Sequence, residues 1–251
     1  MAAHQVALGI DIGGSGIKGA PVDLVKGEFL SERVKIATPA QSTPHAVAQI
    51  VGQIAETFAD QLPSDAPVGV TIPGVVQRGV VRTAANIDPT WMDAPGEDLF
   101  STALGRRCLL VNDADAAGVA EVRYGAAKGA AGLVVLTTLG TGIGVALIHD
   151  GVLVPNAELG HLEVDGHDAE TRAAASVRER EELSWADWAR RLQRYYERLE
   201  ALMWPDLFVV GGGVSRKSEK FLPLLSLRTP IVPATLRNAA GIIGAAALAA
   251  D

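Results

Sequence analysis

The sequence predicts an α/β protein built from two similar halves. Short apolar segments, typical of strands buried on both faces, alternate with helical patterns. Two of these segments run into glycine turns of the same form, Gly-Ser-Gly-Ile at 14–17 and Gly-Thr-Gly-Ile at 140–143, and a third ends in Asn112-Asp113. Because ligands of α/β sheets bind at the carboxyl ends of strands, these three places are the candidate functional sites.

Composition restricts the class of protein. The chain has 251 residues, of which 48% are hydrophobic, so it can bury a core in one large domain or two small ones. A formal net charge of -7 argues against a general nucleic-acid or anionic-membrane surface. A single cysteine, Cys108, excludes an intrachain disulfide and a thiolate zinc cluster. Neither the N-terminus nor the apolar run 239–250 resembles a signal peptide or a membrane span, so a soluble, cytoplasmic protein that binds neither nucleic acid nor membrane is expected.

The first half begins with a strand, a glycine turn and a second strand. The apolar segment 6–12 precedes glycines at 14–19 that match the dinucleotide-binding pattern G-x-G-x-x-G. That pattern has to open a helix, whereas Pro21 and the turn after it favour a returning strand. We therefore predict a hairpin turn whose backbone N–H groups bind an anion, with the positive charge of Lys18 close by.

A helix, a strand and a hairpin follow. Thr43-Pro44 is a typical helix start, and the apolar residues after it recur at three-and-four spacing. The segment 68–72 predicts a buried strand, and the valine pairs on either side of Arg78-Gly79 predict a hairpin. The loop 84–91 has little periodicity and is either functional or disordered. In it, Asn86 either binds a sugar hydroxyl or stabilises an Asx-turn.

The central strand is the apolar segment 109–111, and an Ala-rich helix is predicted after Asp115. Asp113, at the end of this strand, is the candidate general base. The alternative is that Asp113 or Asp115 only caps the helix.

The second half repeats this pattern. A strand at 131–138 enters the second glycine turn, and another apolar segment leaves it. Two Gly-Ser/Thr-Gly turns that face one cleft suit a chain of phosphates, although tight-turn geometry explains either turn alone. Ser184 opens a helix with one aromatic-rich face, which is either core or a dimer interface. A strand at 207–210 and a final helix at 240–249 complete the chain.

Several motifs together resemble the ROK group of the sugar kinase, hexokinase and actin superfamily, and the resemblance covers nearly the whole chain. The segments that carry it are 11–18 and 139–144 for the two phosphate motifs of the superfamily, 112–117 and 158–161 for the ROK group, and 83–88, 204–208 and 211–217 for the bacterial polyphosphate glucokinases within that group.

The resemblance implies a two-lobed, ribonuclease-H-like (actin/hexokinase-type) α/β fold with a central cleft, and a homodimer. Residues 1–108 would form a small N-terminal lobe, with the helix at 239–251 packing back on it, and residues 109–238 would form a large C-terminal lobe. The implied reaction transfers a phosphoryl group from inorganic polyphosphate or ATP, with Mg²⁺, to the 6-hydroxyl of glucose, with mannose as a second candidate acceptor.

Two alternatives within the family are kept. One is a hexose kinase that uses ATP alone. The other, a sugar-sensing ROK protein without catalysis, is disfavoured because a repressor of this family needs a helix-turn-helix ahead of the first strand, and five residues precede Val6.

The resemblance also assigns roles to individual residues. Asp113 would be the catalytic base and Asp11 would hold magnesium. The remaining assignments are, for glucose, Gly74, Asn86, Asn112, Asp113, Glu158, His161 and Glu170; for phosphate, Gly13, Gly14, Ser15, Gly16, Lys18, Gly140, Thr141 and Gly142; and for the donor, Gly211, Gly212, Arg216 and Lys217.

The sequence departs from the family at a zinc site. ROK proteins typically carry a cysteine cluster after the Gly-His pair, whereas residues 164–170 contain no cysteine, so no zinc is expected. The changed context leaves the role of Glu170 open, and His167 is expected in a surface loop. Arg216 and Lys217 form a basic segment that is predicted to bind the part of a polyanion extending beyond a triphosphate.

Overall fold

The computed structural model describes residues 4–84 and 87–251. Over these residues the strands are β1 (Val6–Gly13), β2 (Gly16–Asp23), β3 (Glu28–Phe29), β4 (Val34–Ile36), β5 (Val68–Ile72), β6 (Val76–Gln77), β7 (Val80–Val81), β8 (Cys108–Asn112), β9 (Leu133–Leu139), β10 (Ile143–His149), β11 (Val152–Val154), β12 (Glu163–Val164), β13 (His167–Asp168), β14 (Leu207–Gly211) and β15 (Ile231–Pro233). The α-helices of the same residues are α1 (Pro44–Thr57), α2 (Gly96–Leu104), α3 (Asp113–Tyr124), α4 (Glu170–Ala173), α5 (Ala175–Arg180), α6 (Trp185–Met203) and α7 (Ala240–Ala249).

The chain divides into two compact units. Unit 1 comprises Met1–Ala120 and Ala239–Asp251, and unit 2 comprises Glu121–Asn238. The predicted boundary after residue 108 differs from this division, because β8 pairs in parallel with β5 and so belongs to the sheet of unit 1. The sheet that a strand joins depends on pairing with residues far away in the chain, which the local sequence pattern around residue 108 does not encode.

Unit 1 is built on a sheet with the strand order β3-β2-β1-β5-β8, and β4 also pairs with β2. Strands β1 and β2 are antiparallel, and Gly13 pairs with Gly16, so Gly14 and Ser15 form the turn between them. The predicted hairpin is therefore confirmed in place of a dinucleotide-binding helix. The start of α1 is also confirmed, since the Thr43 hydroxyl accepts a hydrogen bond from the Ala46 N–H.

Unit 2 repeats the same topology. Its sheet has the strand order β11-β10-β9-β14-β15. Strands β9 and β10 are antiparallel, whereas β14 is parallel to both of its neighbours, β9 and β15. In both units a hairpin is thus joined, on the side of its first strand, by two parallel strands. This correspondence confirms the internal repeat that the two glycine turns predicted.

Unit 2 packs one face of α6 into its core. Trp188, Leu192, Tyr195 and Leu199 are buried there, together with Phe208 of β14. Leu202, at the same helical spacing, is exposed, because it lies in the last turn of α6. Within the part of the chain that the structure describes, we find no helix with the length and apolar character required to cross a bilayer.

Helix α7 packs unusually closely on β1 and β5 of unit 1. A Cβ atom added to Gly69 would lie 1.9 Å from the Ala245 carbonyl oxygen, and one added to Gly9 would lie 1.9 Å from that of Ile242. Gly244 of α7 meets Ala116 of α3 in the same way, at 1.7 Å. The sheet thus approaches α7 at positions where only glycine fits.

Gly69→Ala is expected to destabilise the fold by about 3 kcal/mol or more, since the methyl group meets backbone atoms that cannot rotate away. Gly52→Ala is the matched control. Its Cβ would lie 3.5 Å from the Ala103 oxygen, an ordinary contact, and alanine in a helix is favoured by roughly 0.5–1 kcal/mol. Thermal unfolding should give a lower Tm for the first variant and an unchanged or higher Tm for the second; equal values would show that α7 does not pack as described.

Candidate active site

Asn112 and Asp113 lie at the junction of β8 and α3 in unit 1. The Asn112 side-chain oxygen accepts hydrogen bonds from the N–H groups of Ala114 and Asp115, at 2.8 and 3.1 Å. The cap of α3 is therefore supplied by Asn112, and Asp113 only shares the Ala114 donor, at 2.9 Å. The helix begins at Asp113, three residues before the predicted start at Ala116. The Asn112 amide nitrogen donates to the Gly74 carbonyl (3.1 Å), which joins two predicted sugar-binding residues.

Asp113 has the electrostatic properties of a base. Burial, followed by the nearby carboxylates of Asp11 and Asp115, raises the pKa of its carboxyl to about 7, against the lowering effect of the Ala114 N–H. A carboxyl with a pKa near neutrality can accept a proton and release it again at physiological pH. Asp115 is itself buried, with 1% of its surface exposed, so its role is within the packed interior.

Asp11 lies on β1, beside the first glycine turn. One carboxylate oxygen accepts a hydrogen bond from the Thr71 hydroxyl (2.9 Å), and the other lies 3.7 Å from the Lys18 ammonium. These contacts follow from strand register, because Lys18 and Thr71 are the neighbours of Asp11 on β2 and β5. The group is half-buried, so its charge is held in a fixed place next to the first glycine turn.

The first glycine turn exposes its backbone. Gly14 and Ser15 are exposed, and the position of a Cβ atom on Gly14 is open space. Because the backbone of Gly14 is also outside the left-handed region, neither packing nor conformation requires glycine there. An open position of this kind lets a ligand approach the backbone closely. Gly16 differs, since its Cβ would meet the Lys35 side chain at 2.3 Å.

The second glycine turn, between β9 and β10 in unit 2, has the same open position at Gly140. Helix α5 is tied to this turn, because the N–H of Ser176 donates to the Gly140 carbonyl (3.0 Å) and its hydroxyl donates to that of Thr141 (2.6 Å). Glu170 accepts the Ile143 N–H at 2.8 Å and occupies the space where a Cβ of Gly142 would be. The structure thus places Glu170 against the second glycine turn.

His161 is surrounded by carboxylates of unit 2. Its Nδ1 lies 2.9 Å from the Asp168 carboxylate, and its Nε2 lies 3.9 Å from that of Glu158. The hydrogen bond with Asp168 raises the pKa of His161, and the charges of Asp168, Glu170 and Glu158 add to this effect. His167 is exposed on β13, beside this cluster in the sequence.

The third glycine turn follows β14. Gly212 has a φ of 81° and a Cβ there would lie 2.3 Å from the Leu139 carbonyl oxygen, so this glycine is required by the packing of the turn on the end of β9. A 3₁₀ helix, Gly213–Lys220, begins immediately afterwards and carries Arg216 and Lys217. Both side chains are exposed, and neither takes part in an ion pair within 4.0 Å among the residues that the structure describes.

Each unit brings together part of the predicted set. Unit 1 gathers Asp11, Lys18, Gly74, Asn112 and Asp113, and unit 2 gathers Glu158, His161 and Glu170 near the second glycine turn. The prediction for Asn86 falls outside the described residues.

Two polar residues of these clusters were missed by the sequence analysis. Thr71 has a signal that could have found it, since it is a fully buried polar residue inside the apolar strand β5. Asp168 had only a weaker signal in the sequence, the Asp-Gly turn that precedes it. The turn at Asp165-Gly166, with positive φ at both residues, folds β13 back on β12 and brings Asp168 to His161.

The residues of unit 1 suit a magnesium ion that is held by one carboxylate together with substrate phosphates and water. Among residues 4–84 and 87–251, no group of three or more His, Cys, Asp and Glu side chains is arranged to hold a metal ion. Mg²⁺, however, is usually held by one or two carboxylates together with substrate phosphates and water. The half-buried carboxylate of Asp11, next to the exposed first glycine turn, suits that mode of binding and not a site made by protein ligands alone.

The chain is similar to known proteins over most of its length. The model of the ROK family matches residues 7–173. The polyphosphate glucokinase of Mycobacterium tuberculosis is 52% identical over 239 residues, which are 95% of this chain and 89% of that protein. The crystal structure of an inorganic polyphosphate/ATP-glucomannokinase from Arthrobacter sp. strain KM superposes with a TM-score of 0.93 at 54% identity, covering 98% and 99% of the two chains. A ROK family glucokinase from Streptomyces griseus, in complex with glucose and AMPPNP, gives a TM-score of 0.83 at 25% identity over 97% and 99%.

Proposed function

The chain belongs to the ROK family, whose actin/hexokinase-type fold it shares, and on this basis we propose that it is a kinase that transfers a phosphoryl group from inorganic polyphosphate or ATP to the 6-hydroxyl of glucose. The likeness to a polyphosphate glucokinase and to a polyphosphate/ATP-glucomannokinase, each over nearly the whole chain, supports both the acceptor and the donors. Mannose is proposed as a second acceptor on the likeness to the Arthrobacter enzyme.

The observation that carries the proposal is the carboxyl of Asp113, with its pKa near 7, at the end of β8. In the proposed reaction the 6-hydroxyl oxygen of glucose attacks the terminal phosphorus of the donor. The new O–P bond forms as the bridging P–O bond breaks, and its electron pair leaves with ADP or with the shortened polyphosphate. Asp113 accepts the hydroxyl proton, which prevents its return to the attacking oxygen.

Asn112, Glu158 and His161 are the residues proposed to bind the sugar. Asn112 uses its side-chain oxygen to cap α3, so its amide nitrogen is the atom proposed to donate to a sugar hydroxyl. The exposed pair of Glu158 and His161 is proposed to bind further hydroxyls, with Asp168 fixing the orientation of the imidazole. A direct contact between Glu170 and glucose remains a proposal, as does the role of Asn86.

The donor is proposed to bind at the exposed backbones of the two glycine turns. Gly14 and Gly140 leave space for phosphate oxygens to approach the N–H groups, and Lys18 adds a positive charge to the first turn. Mg²⁺, held by Asp11, would neutralise phosphate charge when bound. A homodimer and a cytoplasmic location are proposed as well, on the family resemblance of the sequence.

Arg216→Ala combined with Lys217→Ala is expected to raise the KM for long polyphosphate by roughly tenfold or more, and the KM for ATP much less. A long polyanion releases counterions from each cation that it contacts, by analogy with single-stranded nucleic acids, so the slope of log KM against log salt should flatten by about 0.7 per cation removed. Glucose 6-phosphate formation with each donor, at low and moderate salt, measures both effects.

The matched control is Lys26→Ala with Lys128→Ala, which removes two exposed lysines outside the predicted donor segment. Its KM values should equal those of the wild type. A wild type that uses ATP alone would support the alternative of an ATP-dependent hexose kinase. Equal weakening of both donors in the first variant would place the polyphosphate-binding cations elsewhere.

A further inference from the structure

Two helical segments of unit 2 begin beside the second glycine turn, and a cation from each of them lies over the ring of Trp185. Helix α5 starts at the turn, where Ser176 is bonded to the carbonyls of Gly140 and Thr141. The 3₁₀ helix Gly213–Lys220 starts beside the same turn, because Gly212 packs against the backbone of Leu139. We call these two helices the flanking segments. Their far ends carry Arg178 and Lys220, and both cations lie over one indole ring.

Trp185 forms a rigid platform for these cations. The Arg178 guanidinium carbon lies 3.7 Å from the centre of the Trp185 ring, and the Lys220 ammonium lies 5.7 Å from it. The Trp185 ring is stacked on Phe221, with centroids 6.0 Å apart and planes at 12°, and packs edge-on against Trp188. Phe221 and Trp188 are fully buried, so the half-exposed Trp185 ring is held in one orientation.

The flanking segments are strongly basic on an acidic chain. They contain five cations, Arg178, Arg180, Arg216, Lys217 and Lys220, against the two carboxylates of Glu179 and Glu219, whereas the whole chain has a net charge of -7. Of the five, Arg180 pairs with Glu181, which follows α5 directly. Arg178 and Lys220 take part in no ion pair within 4.0 Å among the described residues. Two cations over one ring repel each other, and a bound anion relieves that repulsion.

We propose that Trp185 with Arg178 and Lys220 is a distal anchoring site for the phosphate chain of long polyphosphate. This inference rests on the proposed function and adds a specific site to it. The 3₁₀ segment Gly213–Lys220, which is kinked at Lys217, starts beside the glycine turn, and Lys220 is its last residue. Lys220 therefore lies at the end of this segment that is remote from the turn. Arg216 and Lys217 lie between these two ends in the sequence, so cations recur along the segment.

Lys220→Ala is expected to raise the KM for long polyphosphate by roughly three- to tenfold and to flatten its salt slope by about 0.7, the change for one lost phosphate contact. The KM values for ATP and for tripolyphosphate should change less than about twofold, because neither reaches the distal site. Lys220→Arg should retain the wild-type values. Arg198→Ala is the control, since this exposed cation lies thirteen residues beyond Trp185 on α6, about 20 Å along the helix.

Binding is tested separately from turnover by tryptophan fluorescence. Long polyphosphate should change the emission of the wild type, and Trp185→Phe should remove that change while the three other tryptophans remain. A wild type that forms no glucose 6-phosphate from polyphosphate overturns the proposed function. The distal site is overturned on its own if the Trp185 signal does not respond, if Lys220→Ala leaves the KM for long polyphosphate unchanged, or if ATP is weakened equally, which would indicate that the platform stacks the adenine base.

Discussion

Asp113→Asn should lower the rate of glucose phosphorylation by a factor on the order of 10² to 10⁴, the typical loss when a general base is removed. The amide has the same shape as the carboxylate and can share the Ala114 N–H, so the junction of β8 and α3 is expected to persist. Glucose binding, measured by calorimetry, should therefore change little while kcat falls. Near-wild-type turnover in this variant would remove Asp113 from the role of base.

The pH dependence of the wild type provides an independent readout of the same group. Because the Asp113 carboxyl must be ionised to accept a proton, kcat/KM should fall as the pH drops below about 7, the pKa that burial and Asp11 produce. The residual activity of Asp113→Asn should lack this limb. An acid limb near pH 4 in the wild type would mean that the carboxyl is not desolvated in solution.

Stability should move in the opposite direction to activity. Asp113 ionises near pH 4 in the unfolded chain and near 7 in the folded one, so the folded state holds an extra proton between these values. Stability is therefore lost as the pH rises from about 4 to 7. Asp113→Asn should have a higher Tm than the wild type above pH 7 and a similar Tm below pH 4. Asp60→Asn, at an exposed position, is the control, whereas the buried Asp115 is unsuitable.

Removal of magnesium is expected to stop the reaction completely, and its return should restore it. The donor carries several negative charges that the two glycine turns and Lys18 do not fully offset, and a hard divalent cation is the usual partner of such phosphates. A chelator selective for zinc should leave both activity and Tm unchanged. Stoichiometric zinc in the purified protein, lost together with activity, would contradict this expectation.

Asp11→Asn tests two roles of Asp11 separately, its binding of Mg²⁺ and its effect on the pKa of Asp113. The variant should need a higher Mg²⁺ concentration for half-maximal rate, because an amide is a weaker ligand than a carboxylate. It should also shift the acid limb of kcat/KM to lower pH, because the charge of Asp11 is one cause of the raised pKa of Asp113. An unchanged requirement for Mg²⁺ with a shifted limb would assign Asp11 to the electrostatics of Asp113 alone.

Local sequence patterns were enough to predict the secondary-structure elements described below and the internal repeat. The hairpin of β1 and β2 followed from Pro21 and the turn after it, because proline and a turn pair exclude the helix that a dinucleotide site requires. The start of α1 followed from Thr43-Pro44, since the cap and the fixed φ of proline act within one turn. The matching glycine turns indicated two halves, and the two sheets have the same strand order.

Hydrogen bonds between residues far apart in the chain could not be predicted from the sequence and were seen only in the tertiary structure. That Asn112, and not an aspartate, caps α3 depends on a side-chain conformation that is also bonded to Gly74, 38 residues earlier in the chain. The contact of Glu170 with the second glycine turn depends on where α4 starts relative to β10. Neither arrangement has a signature in the spacing of the sequence, because hydrogen-bond partners far apart in the chain are selected by tertiary packing.

Residue types and short-range spacing thus determine which chemistry this chain can perform: a carboxylate after a buried strand, glycine turns that can bind phosphate, and cations after the last of these turns. The pKa of Asp113 and the convergence of Arg178 and Lys220 on Trp185 are decided by the tertiary structure. Desolvation and charge–charge distances depend on which atoms surround a group in space, and most of those atoms come from residues that are remote in the sequence.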